Sequence, residues 1–384
     1  MRIGIAALGR VSEDTGGKNY ILHFIRELSK LDDDHQFVLF LSNGEQQALG
    51  LSEGRSLHIV QVPNSRRTPL HKVIGEQLLL PRYIEREKIQ VMYYPGNFVS
   101  LRSKIPSVVN IRSAAHFYGN QYGISGTRRL IRSWLMPASA RKAKLVITPS
   151  EDIKRDLARF AKIHFDKVQV IPHGVDLGLF DGDKNRAAPD GIRTLDRFQL
   201  HTKSYLLYAS ALWRYKRQDQ LIRAHAELVK NGFPEQKLVL AGMGTGVEQT
   251  YIDELRKLPG ELGTEGLVIF TGALPQSELR YLYAGARAFV FPSSYESFGN
   301  PIFEAWASGI PVAVSNVHSF PEIGADAVLY FDPLDISEII HSIRRLLLEP
   351  DLVNSLVSKG SERAKQFTWD TTVRRTLSVI ECVS

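Results

Sequence analysis

Cysteine is almost missing from this 384-residue sequence: Cys382 stands alone. That excludes an internal disulfide and any zinc site built on cysteine pairs, and it fits a reducing compartment. Long apolar runs are also missing; none approaches the roughly eighteen residues a membrane-crossing helix needs. Met1 to Leu8 is too short and too strand-like for a secretory signal, so a cytoplasmic location is expected. Acidic residues are scarce over one stretch. Between Arg66 and Lys144 there are 15 Lys and Arg against 3 Asp and Glu. Residues 1–172 carry 26 basic side chains and 15 acidic ones, the remainder 22 and 26, and the net charge is +7. One half of the chain is therefore expected to face something anionic. Nucleic acid is not the expected partner, because no helix-turn-helix spacing, RNP motif or zinc pattern accompanies the charge. An anionic membrane surface or a lipid-diphosphate ligand fits better. The length suits two domains, each large enough for its own core.

What is present is most concentrated between Phe289 and Val314. An apolar strand ends near Pro292, a polar loop follows, then a short helix and a second strand. Asn300 is a good N-cap and Pro301 fits the first helical position. Gly309 supplies the left-handed stop. The loop delivers the backbone N–H groups of Phe298, Gly299 and Asn300 to a helix start, where an anion is favoured. Glu296 precedes the helix and Glu304 lies inside it, eight positions later. A carboxylate only accepts hydrogen bonds and holds a vicinal diol well, as on a sugar or a ribose. A phosphate between two diol-holding carboxylates describes a nucleotide-sugar. The plainer alternative makes Glu296 a solvated loop residue and Glu304 an acid favoured by the helix dipole.

The run Glu296-Ser-Phe-Gly-Asn-Pro-Ile-Phe-Glu304-Ala, followed by Gly309-Ile-Pro-Val, resembles the donor signature of glycosyltransferase family 4. That resemblance implies a retaining glycosyltransferase of GT-B fold: α/β, with two Rossmann-like domains facing across a cleft and a C-terminal helix crossing back. The domains expected are 1–176 on the acceptor side, a linker or surface excursion at 177–204, a nucleotide-sugar domain at 205–366, and the returning helix at 367–384.

The pattern continues along the chain. Strands are expected at Arg2 to Leu8, Phe37 to Leu41, Leu57 to Val62, Val91 to Tyr94, Ser107 to Ile111 and Leu145 to Thr148. Gly16-Gly17 opens the first helix. Alone it is a plain turn; in the family it is the glycine loop that faces the donor diphosphate. His116 follows the strand at Ser107, and the resemblance implies that it reaches the donor sugar or the reaction centre. Thr127 to Met136 alternates basic and apolar residues. It reads either as a helix covering the sheet or as one lying on a membrane, with Trp134 and Leu135 inserted and Arg128, Arg129 and Arg132 near phosphates. Ser150 is expected to cap a helix. Val168 to Asp176 resembles the family's hinge, with His173 where asparagine is common. Asp181-Gly-Asp183 formally matches an Asp-x-Asp metal motif, but no apolar strand precedes it, and it reads as a solvated turn.

In the second half, strand Tyr205 to Ala209 leads into a loop containing Arg214, Lys216 and Arg217. The family places an arginine and a lysine here on the diphosphate. Lys216 matches the lysine; the arginine position falls on Ser210 or Ala211, and Arg214 stands as its substitute. Gly242-Met-Gly244-Thr-Gly246 looks like part of a dinucleotide fingerprint, but Val247 stands where the last glycine belongs. In the family this turn lines the donor side, and the loop reaching Leu274 reads the base through its backbone.

The function expected is transfer of a hexose, mannose among the options, from a GDP- or UDP-linked donor to a hydroxyl of a glycan. The basic first half points to a lipid-linked or membrane-presented acceptor in cell-surface polysaccharide synthesis, with the protein peripheral on the inner face of the plasma membrane. Lys216, Arg214 and the helix-start N–H groups would neutralise the leaving diphosphate, so neither metal nor cofactor is required. Glu296, His116 and Lys216 are the catalytic candidates. Gly16, Gly17, Arg214, Lys216, Gly244, Leu274, Phe298, Gly299, Asn300 and Glu304 are the donor-binding ones. Two alternatives stay open: a nucleotide-sugar 2-epimerase of the same fold, and a catalytically silent scaffold that binds sugar nucleotide.

Overall fold

Strands alternate with helices along the chain, the order that builds parallel sheets through helical crossovers. The computed structural model describes all residues except 9–15, 32–33, 55, 64–74, 120, 123–125 and 245–247, and the chain divides into two compact units.

The first unit comprises residues 1–120, 124–174 and 369–384. Its strands are β1 (Arg2–Ala6), β2 (Gln36–Ser42), β3 (Leu57–Val62), β4 (Val91–Tyr94), β5 (Ser107–Asn110), β6 (Leu145–Thr148) and β7 (Val168–Val170). They form one parallel sheet in the order β3-β2-β1-β4-β5-β6-β7. Ile3 lies opposite Phe37 on one side and Val91 on the other. The runs of apolar residues in β1 and β2 suit strands covered on both faces. One covering layer is built from Tyr20, Ile21, Phe24 and Ile25 of the helix Gly16–Leu28, joined in a single core cluster by Trp369, Val373, Leu377 and Ile380 of the last helix, Trp369–Glu381. The strand order reverses between β1 and β4, and such a reversal opens a crevice at the carboxyl ends of the two strands.

The second unit holds residues 121–123 and 175–368. Its strands are β8 (Tyr205–Ala209), β9 (Lys237–Ala241), β10 (Val268–Gly272), β11 (Ala288–Phe291), β12 (Val312–Ser315) and β13 (Leu329–Phe331). All are parallel, in the order β10-β9-β8-β11-β12-β13. The reversal here falls between β8 and β11. Both sheets are Rossmann-like. The helix Asn300–Ala307 buries Ile302, Phe303, Ala305 and Trp306. Gly360, on the facing helix Pro350–Gln366, leaves room for the Trp306 indole, which a Cβ there would strike.

Two stretches differ from the sequence reading. Residues 177–204 are folded within the second unit and carry the helices Gly182–Ala187 and Pro189–Arg197. Phe180 and Leu200 are buried in the core, with Leu195 packed against it, a sparse apolar stripe that the surrounding charges conceal. Asp181 caps the first of these helices by accepting the Lys184 N–H at 3.1 Å, while Asp183 pairs with Arg186. The two carboxylates are thus used locally. The helix Gln249–Glu261 is not among the sequence expectations, although Tyr251, Ile252, Leu255 and Leu258 keep a helical period and are buried.

Candidate active site

Because β8 and β11 are neighbours at the reversal, the loops leaving their carboxyl ends meet. Ser294 N–H donates to the Tyr215 carbonyl at 2.8 Å, and Arg217 Nε donates to Ser294 Oγ at 3.0 Å. Beneath the 210–217 loop, Gln218 Nε2 donates to the Tyr208 hydroxyl at 2.7 Å and to the Ala211 carbonyl at 3.0 Å. Tyr251 closes the network by donating to Gln218 Oε1 at 3.0 Å. The 292–299 loop is held by hydroxyls: Ser293 Oγ donates to the Tyr295 carbonyl at 2.8 Å, and Ser319 Oγ to the Glu296 carbonyl at 3.0 Å. Buried and satisfied networks of this kind hold a loop in one geometry.

On this base Lys216 and Glu296 form an ion pair, their side chains only 9% and 14% exposed. The ammonium also lies 5.3 Å from the Phe291 ring centre and 5.2 Å from that of Tyr215. Removing either partner would leave a buried charge unmatched.

Glu304 projects from the helix Asn300–Ala307. Sequence suggests Asn300 as its cap, but the cap is Gly299, at φ +86°, and Asn300 is the first helical residue. Position 299 suits glycine. A Cβ at 299 would come within 2.8 Å of Phe320 and 3.2 Å of Ile302, and the left-handed backbone favours glycine in any case. Phe298 is buried and stacks on Phe303 at 4.8 Å, so a ligand could meet only its backbone. Glu304 keeps a partly accessible edge. Burial pushes its carboxyl up to about 7, against the lowering influence of the Tyr283 hydroxyl nearby.

Other expected residues lie as follows. Arg214 is 59% exposed and turned away: it pairs with Glu254 at 2.8 Å and covers the Tyr251 ring at 4.6 Å. The structure does not bring it to Lys216. Arg217, half-buried on the same loop, is the base that the sequence reading passed over. Gly242 and Gly244 sit where the loops after β8 and β9 nearly touch; a Cβ at 242 would run into the Ser210 carbonyl and one at 244 into Ile252. Residues 245–247 lie outside those described, so Gly246 and Val247 are not placed. Leu274 packs against the core beyond β10.

In the first unit, Gly16 and Gly17 open the helix Gly16–Leu28. Under the ends of β4 and β5, the Tyr20 and Tyr93 hydroxyls pair at 2.8 Å, and Asn110 Nδ2 donates to Tyr93 at 3.2 Å. His116 stands in the helical turn Ala115–Tyr118 and is buried, its Nε2 without a hydrogen-bond partner among the described residues. Burial, then Arg132 and Arg129, hold its pKa down to about 4. At neutral pH it is an uncharged imidazole, able to donate or accept but carrying no positive charge.

Two family domains match in sequence order. Residues 15–179 match Glycosyltransferase Family 4, and residues 193–363 match Glycosyl transferases group 1. The chain is 30% identical over 317 residues to O-antigen chain mannosyltransferase B of Escherichia coli, spanning 82% of this chain and 80% of that one. The chain belongs to glycosyltransferase family 4. It is also 28% identical over 263 residues to the MMP alpha-(1->4)-mannosyltransferase of Mycolicibacterium hassiacum, covering 66% of this chain and 58% of that one. Anabaena HepE, solved with UDP-glucose, superposes with a TM-score of 0.78 at 18% identity over the full length of both chains. The glycosyltransferase therefore has the GT-B fold.

The basic helix of this glycosyltransferase, Gly126–Lys142, needs one correction. Leu135 is buried in the core and cannot insert into a membrane beside Trp134. The side chains that stand out are Leu130, 73% exposed, and Trp134, 69% exposed. They are four residues apart and share one helix face. Among the described residues no helix is long and apolar enough to cross a membrane.

Proposed function

We propose that the protein is a retaining hexosyltransferase that moves mannose from GDP-mannose, or a hexose from a related nucleoside diphosphate, to a glycan hydroxyl in cell-surface polysaccharide synthesis. The observation that carries this reading is the buried Lys216–Glu296 pair at the reversal of the second sheet, where an open α/β sheet binds its ligand. The sugar comes from the Escherichia coli and mycobacterial relatives, whose names specify mannosyl transfer. In this reading the diphosphate takes the Lys216 ammonium and the helix-start backbone at 298–300, releasing Glu296 to the ring hydroxyls. Glu304 holds the ribose, with Gly244 and Leu274 towards the base. Gly16 and Gly17 approach the diphosphate, and neutral His116 hydrogen-bonds to the sugar. Charge on the leaving group is met by fixed donors, so the step needs no metal. With no covalent nucleophile in the proposed set, attack from the face the diphosphate leaves preserves the configuration. The acceptor is lipid-linked and presented at an anionic membrane.

The test is direct. GDP and UDP are compared for thermal stabilisation of the full chain, then GDP-mannose is incubated with and without an acceptor glycan. Stabilisation by one nucleotide and release of GDP from its sugar support the reading. An epimerised donor without transfer would replace it with the epimerase, and no stabilisation by either nucleotide would sink it.

A further inference from the structure

The strand order β10-β9-β8-β11-β12-β13 makes a ruler of the second unit's carboxyl edge, with neighbouring strands about 4.8 Å apart. Gly244 and Leu274 follow β9 and β10 on one side; Lys216 and Glu296 follow β8 and β11 in the middle. On the other side, beyond the ends of β12 and β13, lies an open cavity of about 760 Å³. Its wall includes Tyr215, Arg217, Ser294, Asn316, His318 and Tyr330.

This wall mixes half-buried rings with planar polar groups. Tyr295, itself buried, props the cluster from behind, its ring centre 4.7 Å from His318 and 4.7 Å from Tyr122. Trp213 and Tyr122 meet the Tyr215 ring edge-on at 5.4 and 5.9 Å. Rings braced by one another lose little freedom when a ligand stacks on them. A pyranose offers an apolar C–H face and a rim of hydroxyls. The face suits an aromatic ring, and the rim suits the Asn316 amide and the Arg217 guanidinium that Ser294 holds. A lipid chain would need a longer apolar wall, and a polyphosphate a more basic one.

We propose that this cavity is a subsite for the acceptor glycan, in which the ring that receives the hexose stacks on Tyr215 and hydrogen-bonds to Asn316 and Arg217. The second unit then holds acceptor as well as donor. This rests on the donor reading above, since Tyr215 and Arg217 flank Lys216 and so place the cavity next to the activated sugar.

The experiment is saturation-transfer NMR on the full chain, saturated with whichever of GDP and UDP stabilises it, using methyl α-D-mannopyranoside, α-1,3-mannobiose and maltose as probes. At least one probe should show transfer. Tyr215→Ala and Asn316→Ala should weaken its binding about tenfold, equivalent to ~1.4 kcal/mol, while Asn316→Ala keeps the thermal shift with nucleotide. The proposal is overturned if no probe shows transfer to the wild type, or if both variants bind it as well as the wild type does. It is equally overturned if Asn316→Ala loses the nucleotide shift, because the cavity would then belong to the donor. A wild type stabilised by neither nucleotide would instead fail the donor reading, and the subsite with it.

Discussion

Glu304 is held where its charge is disfavoured, yet the role proposed for it requires that charge. Burial raises its pKa from 4.5 to about 7. The folded state therefore binds this proton more tightly than the unfolded one, and stability falls as pH rises from about 4.5 through 7. A neutral isostere removes that penalty. Glu304→Gln should raise the unfolding midpoint at pH 8 by about 2–4 °C and leave it unchanged at pH 4. Binding should move the opposite way. In the wild type, nucleotide affinity should climb between pH 6 and 8 as the carboxylate ionises. In Glu304→Gln it should be flat with pH and weaker at pH 8 by about 1.5–3 kcal/mol, as titration calorimetry would measure. A variant that titrates like the wild type would remove Glu304 from the ribose. Lys216 gives a second case. Lys216→Ala should cost about 2–4 kcal/mol of transition-state stabilisation, read as kcat/KM. Adding Glu296→Ala should cost less than the two single losses together, because each single change strands the other charge. Arg214→Ala, on a pair exposed to solvent, should change kcat/KM by less than about twofold. The contrast shows what was legible. The eight-residue spacing and the helix start between them drew out Glu296 and Glu304, and the resemblance to the family drew out Lys216. Arg214 and Arg217 sit three apart on one loop, and which of them turns to the site depends on Glu254 and Ser294, distant in sequence and supplied only by folding.

At the scale of elements, apolar runs ending in polar loops marked the strands closely: β3, β4, β6 and β8 fall where the pattern places them. Helices whose apolar stripes are diluted were less legible. Gly182–Ala187 and Pro189–Arg197 bury few side chains amid a run of charges. Gln249–Glu261 follows the glycine-rich sequence 242–246, whose loop signal overshadows its helical period. The start of Asn300–Ala307 shows the opposite limit. An Asn-Pro pair reads as cap and first turn, yet the cap is the left-handed Gly299, with Phe320 and Ile302 packed where a side chain would go. This has a measurable consequence. Gly299→Ala adds a methyl group into Phe320 at a left-handed position, and should lower stability by about 1–3 kcal/mol in urea unfolding. It should weaken nucleotide binding as well, because the same residue sets the entry of the 292–299 loop into the helix. Gly309→Ala is the control: its φ is +67° but nothing among the described residues lies within 4 Å of the added carbon. It should cost backbone strain alone and leave nucleotide affinity intact.

At the scale of the whole molecule, the proposed anionic membrane partner can be tested on named side chains. Residues 1–172 hold the basic excess, and within them Leu130 and Trp134 stand exposed on a helix that also carries Arg129 and Arg132. Large apolar side chains left in water beside cations are the composition of a surface that rests on anionic lipid. Charge alone would give binding that salt abolishes, since screening shortens electrostatic reach to about 8 Å at physiological ionic strength. Two inserted side chains add a part that salt does not remove, up to roughly 1.5–3 kcal/mol for each one fully buried. Vesicles of phosphatidylglycerol and phosphatidylethanolamine should therefore retain the protein at low salt, and part of it at 0.5 M sodium chloride. Trp134 emission should shift to shorter wavelength on binding. Leu130→Ser with Trp134→Ser should leave the low-salt binding largely in place and abolish the remainder at high salt. Equal binding to vesicles of phosphatidylcholine alone would show that the basic excess plays no part. If the double variant kept its high-salt binding, the two exposed side chains would not be the anchor.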